Sequence, residues 1–216
     1  MKSSLGRKVL MAVSGLFLVI FLLQHFTINL TSIFSKEMFN SISHFMGNNP
    51  LVQFILQPIL IFGVVFHFIM GFILELKNRE SRSQNYSYER GGASSSWISR
   101  NMIYSGLVIL LFLGLHFYDF WIPEIQYKYL EFLPENPNRY YDEMIHKFNN
   151  PIRVVIYIVS FIFLSLHLLH GFSSSFQTVG FNNKYSSNVI FLTKAFSIII
   201  PLGFILIAII HFLNAY

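Results

Sequence analysis

Residues 9–35, VLMAVSGLFLVIFLLQHFTINLTSIFS, contain no Asp, Glu, Lys or Arg. Crossing the hydrocarbon core of a bilayer takes about 20 predominantly apolar residues in a helix, so this segment alone is long enough to span one. Four more charge-free stretches follow at 51–74, 101–118, 154–183 and 195–216. Helices are expected near 8–30, 51–75, 100–122, 151–176 and 189–213. Together they make residues 1–216 one transmembrane domain, an all-α bundle of five spans. Membrane strands would alternate over roughly ten residues; these runs are apolar throughout, which argues against a barrel. The basic segment 1–8 resembles the start of a signal peptide, but the apolar run behind it is too long and no small-x-small cleavage site closes it. It is expected to remain as the first helix.

Composition agrees. The 216 residues are 54% hydrophobic, 18% aromatic and only 12% charged, against roughly 25% charged in a soluble domain. Mean hydropathy is +0.54. The absence of Cys excludes disulfides, thiolate zinc sites, iron–sulfur ligation and covalent c-type haem within the chain. With the N-terminus in the cytoplasm, that side receives Lys2, Arg7, Lys8, Lys77, Arg79, Arg82, Arg90, Arg100, Lys184 and Lys194. The other side receives Lys36, Lys128, Arg139, Lys147 and Arg153. Ten against five favours N-in and C-out. The pI of 9.4 therefore reflects a basic inner rim and gives no reason to expect nucleic-acid binding.

The connections differ in character. Residues 81–96 are polar and Ser/Gly-rich, a flexible cytoplasmic link by composition. Residues 119–150 form a longer outer segment, with a surface helix expected near 140–148. Within 36–46, Phe39, Ile42, Phe45 and Met46 fall at helical spacing, as in an amphipathic helix lying on the outer surface. Trp97 and Trp121 stand at opposite span ends, where interfacial aromatics belong.

The spans also contain a repeat. SGLFLVIFLLQH (14–25) and SGLVILLFLGLH (105–116) are identical at six of twelve positions, and VVFHFIMGF (64–72) and LSLHLLHGF (164–172) share His-x-x-x-Gly-Phe. Spans one and two are thus repeated as three and four, in parallel orientation, a duplication common in membrane bundles. Each unit carries two histidines. His25 lies 17 residues after Lys8 and His116 lies 16 after Arg100, which puts both roughly 25 Å from the cytoplasmic edge. His67 and His167, on spans running inward, stand nearer the cytoplasm.

Two histidines facing each other at each of two levels suit two bis-histidine haems stacked across the membrane. Iron held by two imidazoles is saturated, so it carries electrons and has no open position for oxygen chemistry. Gly71 and Gly171, one turn after His67 and His167, would leave room for a flat porphyrin. A lone membrane histidine is commonly an interhelical hydrogen bonder; four, matched in depth within a repeat, point to ligation. His170 competes with His167, whose spacing to Gly171 copies that of His67 to Gly71. His44 and His146 fall in outer loops, and His211, without a repeat partner, is expected at the interface.

On LLQHF with His25, ISHFM with His44, VFHFIMG with His67, GLHF with His116 and LHLLHG with His167, the chain resembles the single-chain di-haem cytochrome b membrane anchor of succinate:quinone oxidoreductases, the succinate dehydrogenases and fumarate reductases. The resemblance covers about residues 5–210. It implies a multi-pass subunit of the bacterial cytoplasmic membrane, in the respiratory chain and the tricarboxylic acid cycle. A flavoprotein subunit and an iron–sulfur subunit would dock on its cytoplasmic face, and whether such complexes pair into dimers of heterotrimers stays open. His67 and His167 would hold the proximal haem b, His25 and His116 the distal one. Menaquinone would react near the distal haem, with His44, Asn29 and Gln24 as lining candidates. The chain departs from the family at Ser165, where some fumarate reductases carry a Glu used to move protons across; succinate oxidation is therefore the expected direction. Two other classes remain open: a stand-alone transmembrane cytochrome b serving another dehydrogenase, and a histidine-lined transporter without haem.

Overall fold

The computed structural model describes residues 4–82, 102–181 and 186–215. Among these the regular elements are all helical. The helices of the five spans are α1 (Ser4–Phe34), α3 (Gln57–Arg82), α4 (Met102–His116), which opens the third span, α6 (Pro151–Thr178) and α7 (Ser186–Asn214). Two short helices, α2 (Lys36–Asn48) and α5 (Arg139–Phe148), cap the end opposite the N-terminus. Five helices are long and apolar enough to cross a membrane, as the charge-free stretches foretold. The 81–96 connection and Trp97 lie outside the described residues.

Local chemistry sets the ends. Ser35 leaves the helical region (φ −155) and its side chain accepts from the Met38 N–H, which ends α1 and starts α2. Asn150 accepts from the Ile152 and Arg153 N–H groups, and Pro151 follows at the first helical position, where its missing N–H costs nothing. At the other end of α6, Gly180 adopts φ +96 and the Phe181 N–H returns to the Phe176 carbonyl at 3.0 Å. A side chain at that φ would be strained, which is why glycine closes the helix there.

The third span corrects the expectation. It does not give way to a loop at 119 but continues through π-helical turns at Phe117–Trp121 and Gln126–Leu130, giving an apolar helical run of Met102–Leu130. The charges that made 119–150 read as a loop are paired. Glu124 meets Arg139, Lys128 (2.5 Å) and the Tyr140 hydroxyl (2.9 Å), and Arg139 also reaches Glu143 at 3.0 Å. Burial pulls the Arg139 pKa down, but Glu124 outweighs it and the guanidinium stays ionised. On α2, Phe39 is buried, whereas Phe45 is 60% exposed and points away from the bundle.

The core lies in the half of the bundle away from the N-terminus. Phe39, Met144, Phe148, Tyr157, Phe161, Phe204 and Ile207 form one cluster joining α2, α5, α6 and α7. Within the most apolar stretch of α7, 39% of the residues are buried inside the chain, against 6% for the second span. Helix α7 is therefore the bundle's post, and α3 shows most of its apolar surface to lipid.

One packing contact explains a residue that looked anomalous. Pro201 sits inside α7 and lacks an N–H, so the Ser197 carbonyl one turn earlier has no helical donor. The Ser165 hydroxyl of α6 supplies one at 2.7 Å. Ser165 thus closes a backbone defect in its neighbour. Ser165→Ala is expected to destabilise the folded chain by about 1–3 kcal/mol, the cost of a buried unsatisfied carbonyl, read as a lower unfolding temperature in detergent. Ser165→Ala combined with Pro201→Ala should recover most of it.

Candidate functional site

The repeat places its histidines in two pairs between helices. His25 of α1 and His116 of α4 have ring centroids 5.7 Å apart at 85°. His67 of α3 and His167 of α6 are 6.4 Å apart at 69°. An imidazole nitrogen ligates a transition metal at about 2 Å, so an ion shared by two rings separates their centroids by roughly 6 Å. Both pairs stand at about that separation. His67 and His167 lie beside Ser14 and Ser105, each eleven residues before its helix's own histidine, so the two levels are about 16 Å apart along the bundle.

The first pair has aromatic walls. Phe21 stacks on His25 at 5.5 Å, and Phe204 of α7 stands 5.8 Å away. Phe112, Phe120 and Tyr157 surround His116 at 5.9, 5.3 and 6.4 Å. The Asn29 amide donates to the His25 carbonyl at 2.8 Å and comes within 3.4 Å of His25 Nε2. His116 Nδ1 is buried without a hydrogen-bond partner among the described residues.

The second pair is oriented by hydroxyls. Ser14 Oγ lies 3.0 Å from His67 Nδ1, and Ser105 Oγ lies 3.2 Å from His167 Nδ1. A Cβ on Gly15 would meet His67 Cε1 at 3.3 Å, and one on Gly106 would meet His167 Cε1 at 3.7 Å. Sequence reasoning used these Ser-Gly pairs as markers of the repeat and missed that each serves the histidine of the other helix in its unit. The space beside Gly71 and Gly171, expected to be left open, is taken by the methyl tips of Met11 and Met102 at 3.3 and 3.0 Å from a notional Cβ. Those tips are flexible and can swing aside.

The remaining candidates are dispersed. His170 is partly buried next to His167 on α6. His44 lies on α2, not in a loop; its Nε2 pairs with the Asn136 carbonyl at 3.0 Å and its ring stands edge-on to Tyr140. Gln24 of α1 reaches the Met46 sulfur of α2 at 3.9 Å. Thus Gln24 and Asn29 bracket His25 on α1, while His44, on the capping helix α2, turns to Asn136 and Tyr140; no hydrogen bond joins the three. His211 is not interfacial as expected. It is fully buried, bonded through Nε2 to Ser32 Oγ at 2.7 Å, with its ring perpendicular to Tyr141. It ties α7 to α1.

A carboxylate was also missed. Asp119 is 1% exposed within the third span, pairing with Arg153 and accepting from the Tyr157 hydroxyl at 2.9 Å. Its signal was the single acidic residue three positions after His116, read as the start of a loop. Among the described residues no group of three or more His, Asp or Glu converges on a common point; axial ligation of haem requires two.

No family model matches the chain, and no solved structure does. Over 162 residues, 74% of this chain and 72% of the relative, it is 26% identical to the succinate dehydrogenase cytochrome b558 subunit of Bacillus subtilis (strain 168). A helical membrane bundle with two facing histidine pairs is thus similar, over most of its length, to a succinate dehydrogenase cytochrome b subunit.

Proposed function

We propose that the chain is the cytochrome b membrane anchor of a succinate:quinone oxidoreductase, and that its two histidine pairs hold two haems b. The observation that carries this reading is the pairing itself: four histidines of one repeat meet two by two, at a separation suited to a shared ion. His67 and His167 would hold the proximal group, His25 and His116 the distal one. When bound, haem b at these two levels supplies stepwise one-electron transfer across the membrane, from an iron–sulfur subunit towards menaquinone.

The chain's residues do the rest. Phe21, Phe112, Phe120 and Phe204 exclude water around the first pair, which keeps its imidazoles neutral and available as ligands. Asn29, beside His25, is the donor best placed for a quinone oxygen at that level, with Gln24 and His44 as further lining candidates. The basic rim around Arg7, Lys8, Lys77 and Arg79 faces the cytoplasm and docks an iron–sulfur and a flavoprotein subunit, with the C-terminus on the outer side. Ser165 is engaged with the α7 backbone, so the direction proposed is succinate oxidation without a proton route through that position.

The test is succinate-dependent reduction in membranes that contain the whole complex. Addition of succinate is expected to produce a reduced b-type absorption band, lost when the gene for this chain is deleted. A band that responds to NADH but not to succinate would move the chain to another dehydrogenase.

A further inference from the structure

We infer that the dipeptides Ser14-Gly15 and Ser105-Gly106 are seats that fix the tautomer and the ring orientation of His67 and His167. The inference rests on the haem-anchor reading above and adds a role for residues outside the ligand set.

Hydrogen-bond direction carries the argument. Ser14 Oγ donates its only hydrogen to the Met11 carbonyl at 2.9 Å, so towards His67 Nδ1, at 3.0 Å, it can offer only a lone pair. A hydroxyl so engaged accepts from Nδ1, which then carries the hydrogen. A neutral imidazole has one donor and one acceptor nitrogen, which leaves Nε2 bare and able to bind iron. The same holds across the repeat: Ser105 Oγ donates to the Met102 carbonyl at 2.8 Å and stands 3.2 Å from His167 Nδ1. Glycine follows each serine because the ring edge runs along the helix at that point. His67 Cε1 lies 3.3 Å from where a Cβ on Gly15 would stand, a tight contact that would press on the imidazole, whereas His167 Cε1, 3.7 Å from a Cβ on Gly106, would be in ordinary contact.

Among the described residues the other pair has no such serine. His116 Nδ1 has no hydrogen-bond partner among them, and the Asn29 amide approaches His25 at Nε2, the nitrogen that the seats leave bare in the His67–His167 pair. A hydrogen bond accepted from Nδ1–H makes the imidazole a stronger donor to a metal and stabilises the oxidised iron. Removing the seats should therefore raise the midpoint potential of the His67–His167 centre and leave that of the His25–His116 centre in place. Outer partners of this kind are typically worth 10- to 100-fold in metal affinity.

The experiment uses the complete complex purified in detergent, with Ser14→Ala, Ser105→Ala, the double variant, and Ser14→Thr as the variant that keeps a hydroxyl. The centre of interest is the low-spin electron paramagnetic resonance signal that is missing from His67→Ala. In the alanine variants that signal is expected to broaden and its potentiometric midpoint to rise, most in the double variant, while the other centre keeps its values. Ser14→Thr should restore the midpoint of the parent protein. Unchanged signal and midpoint in the double variant would overturn the inference, and so would equal shifts at both centres, since a general packing defect acts on both. A parent complex without haem would overturn the anchor reading and the seats together.

Discussion

His67→Ala or His167→Ala is expected to lower bound haem b from two to one per chain, and His25→Ala or His116→Ala to remove the other one. In the proposed assignment each haem would be held by two histidines whose rings meet from different helices, so one truncation would leave an iron with a single protein bond inside an apolar bundle. The space vacated by an imidazole is walled by phenylalanines, at His25 by Phe21 and Phe204, and among the described residues no third imidazole packs against that pair. At the second pair one is close in sequence: His170 lies three residues after His167 on α6. His170→Ala should nevertheless keep both haems, because the Ser105 contact orients His167. Pyridine haemochrome assays and low-temperature spectra of the five variants check this. Loss of a haem in His170→Ala with retention in His167→Ala would reverse the assignment on α6.

Arg153→Leu is expected to destabilise the chain by about 3–5 kcal/mol, the cost of leaving a buried charge without its partner. Asp119 is 1% exposed and Arg153 is its ion-pair partner; the Tyr157 hydroxyl alone cannot neutralise it. The double replacement Arg153→Leu with Asp119→Leu removes both charges and should recover most of the loss, since a buried pair and a well-packed apolar pair are often of similar stability. The effect reaches the site, because Tyr157 packs 6.4 Å from His116. Arg153→Leu should therefore perturb the His25–His116 centre before the His67–His167 centre. Thermal unfolding in detergent, followed together with the optical spectra of the two centres, measures both parts.

The spans were legible because a membrane imposes a rule readable residue by residue: about 20 positions without charge. The histidine pairs were legible because duplication copied depth along with residue type, so His25 and His116, and likewise His67 and His167, reached matching levels. What escaped depends on partners remote in sequence. Asp119 reads as a loop residue until Arg153, on another helix, is seen to neutralise it. His211 reads as interfacial until Ser32, 179 positions away, is seen to hold it. Ser165 looks like a lost carboxylate until the carbonyl stripped of its donor by Pro201 is found opposite. The Ser-Gly pairs stood out in the repeat, but their use lies across a helix–helix contact spanning 53 and 62 positions. Periodicity within one helix carries no information about such contacts.

The proposed function requires this bundle to bind two haems through four histidines. The most direct measurement is the haem b content per polypeptide of the purified complex, by its pyridine haemochrome spectrum. The account predicts two per chain, both low-spin. A folded preparation without haem would contradict it.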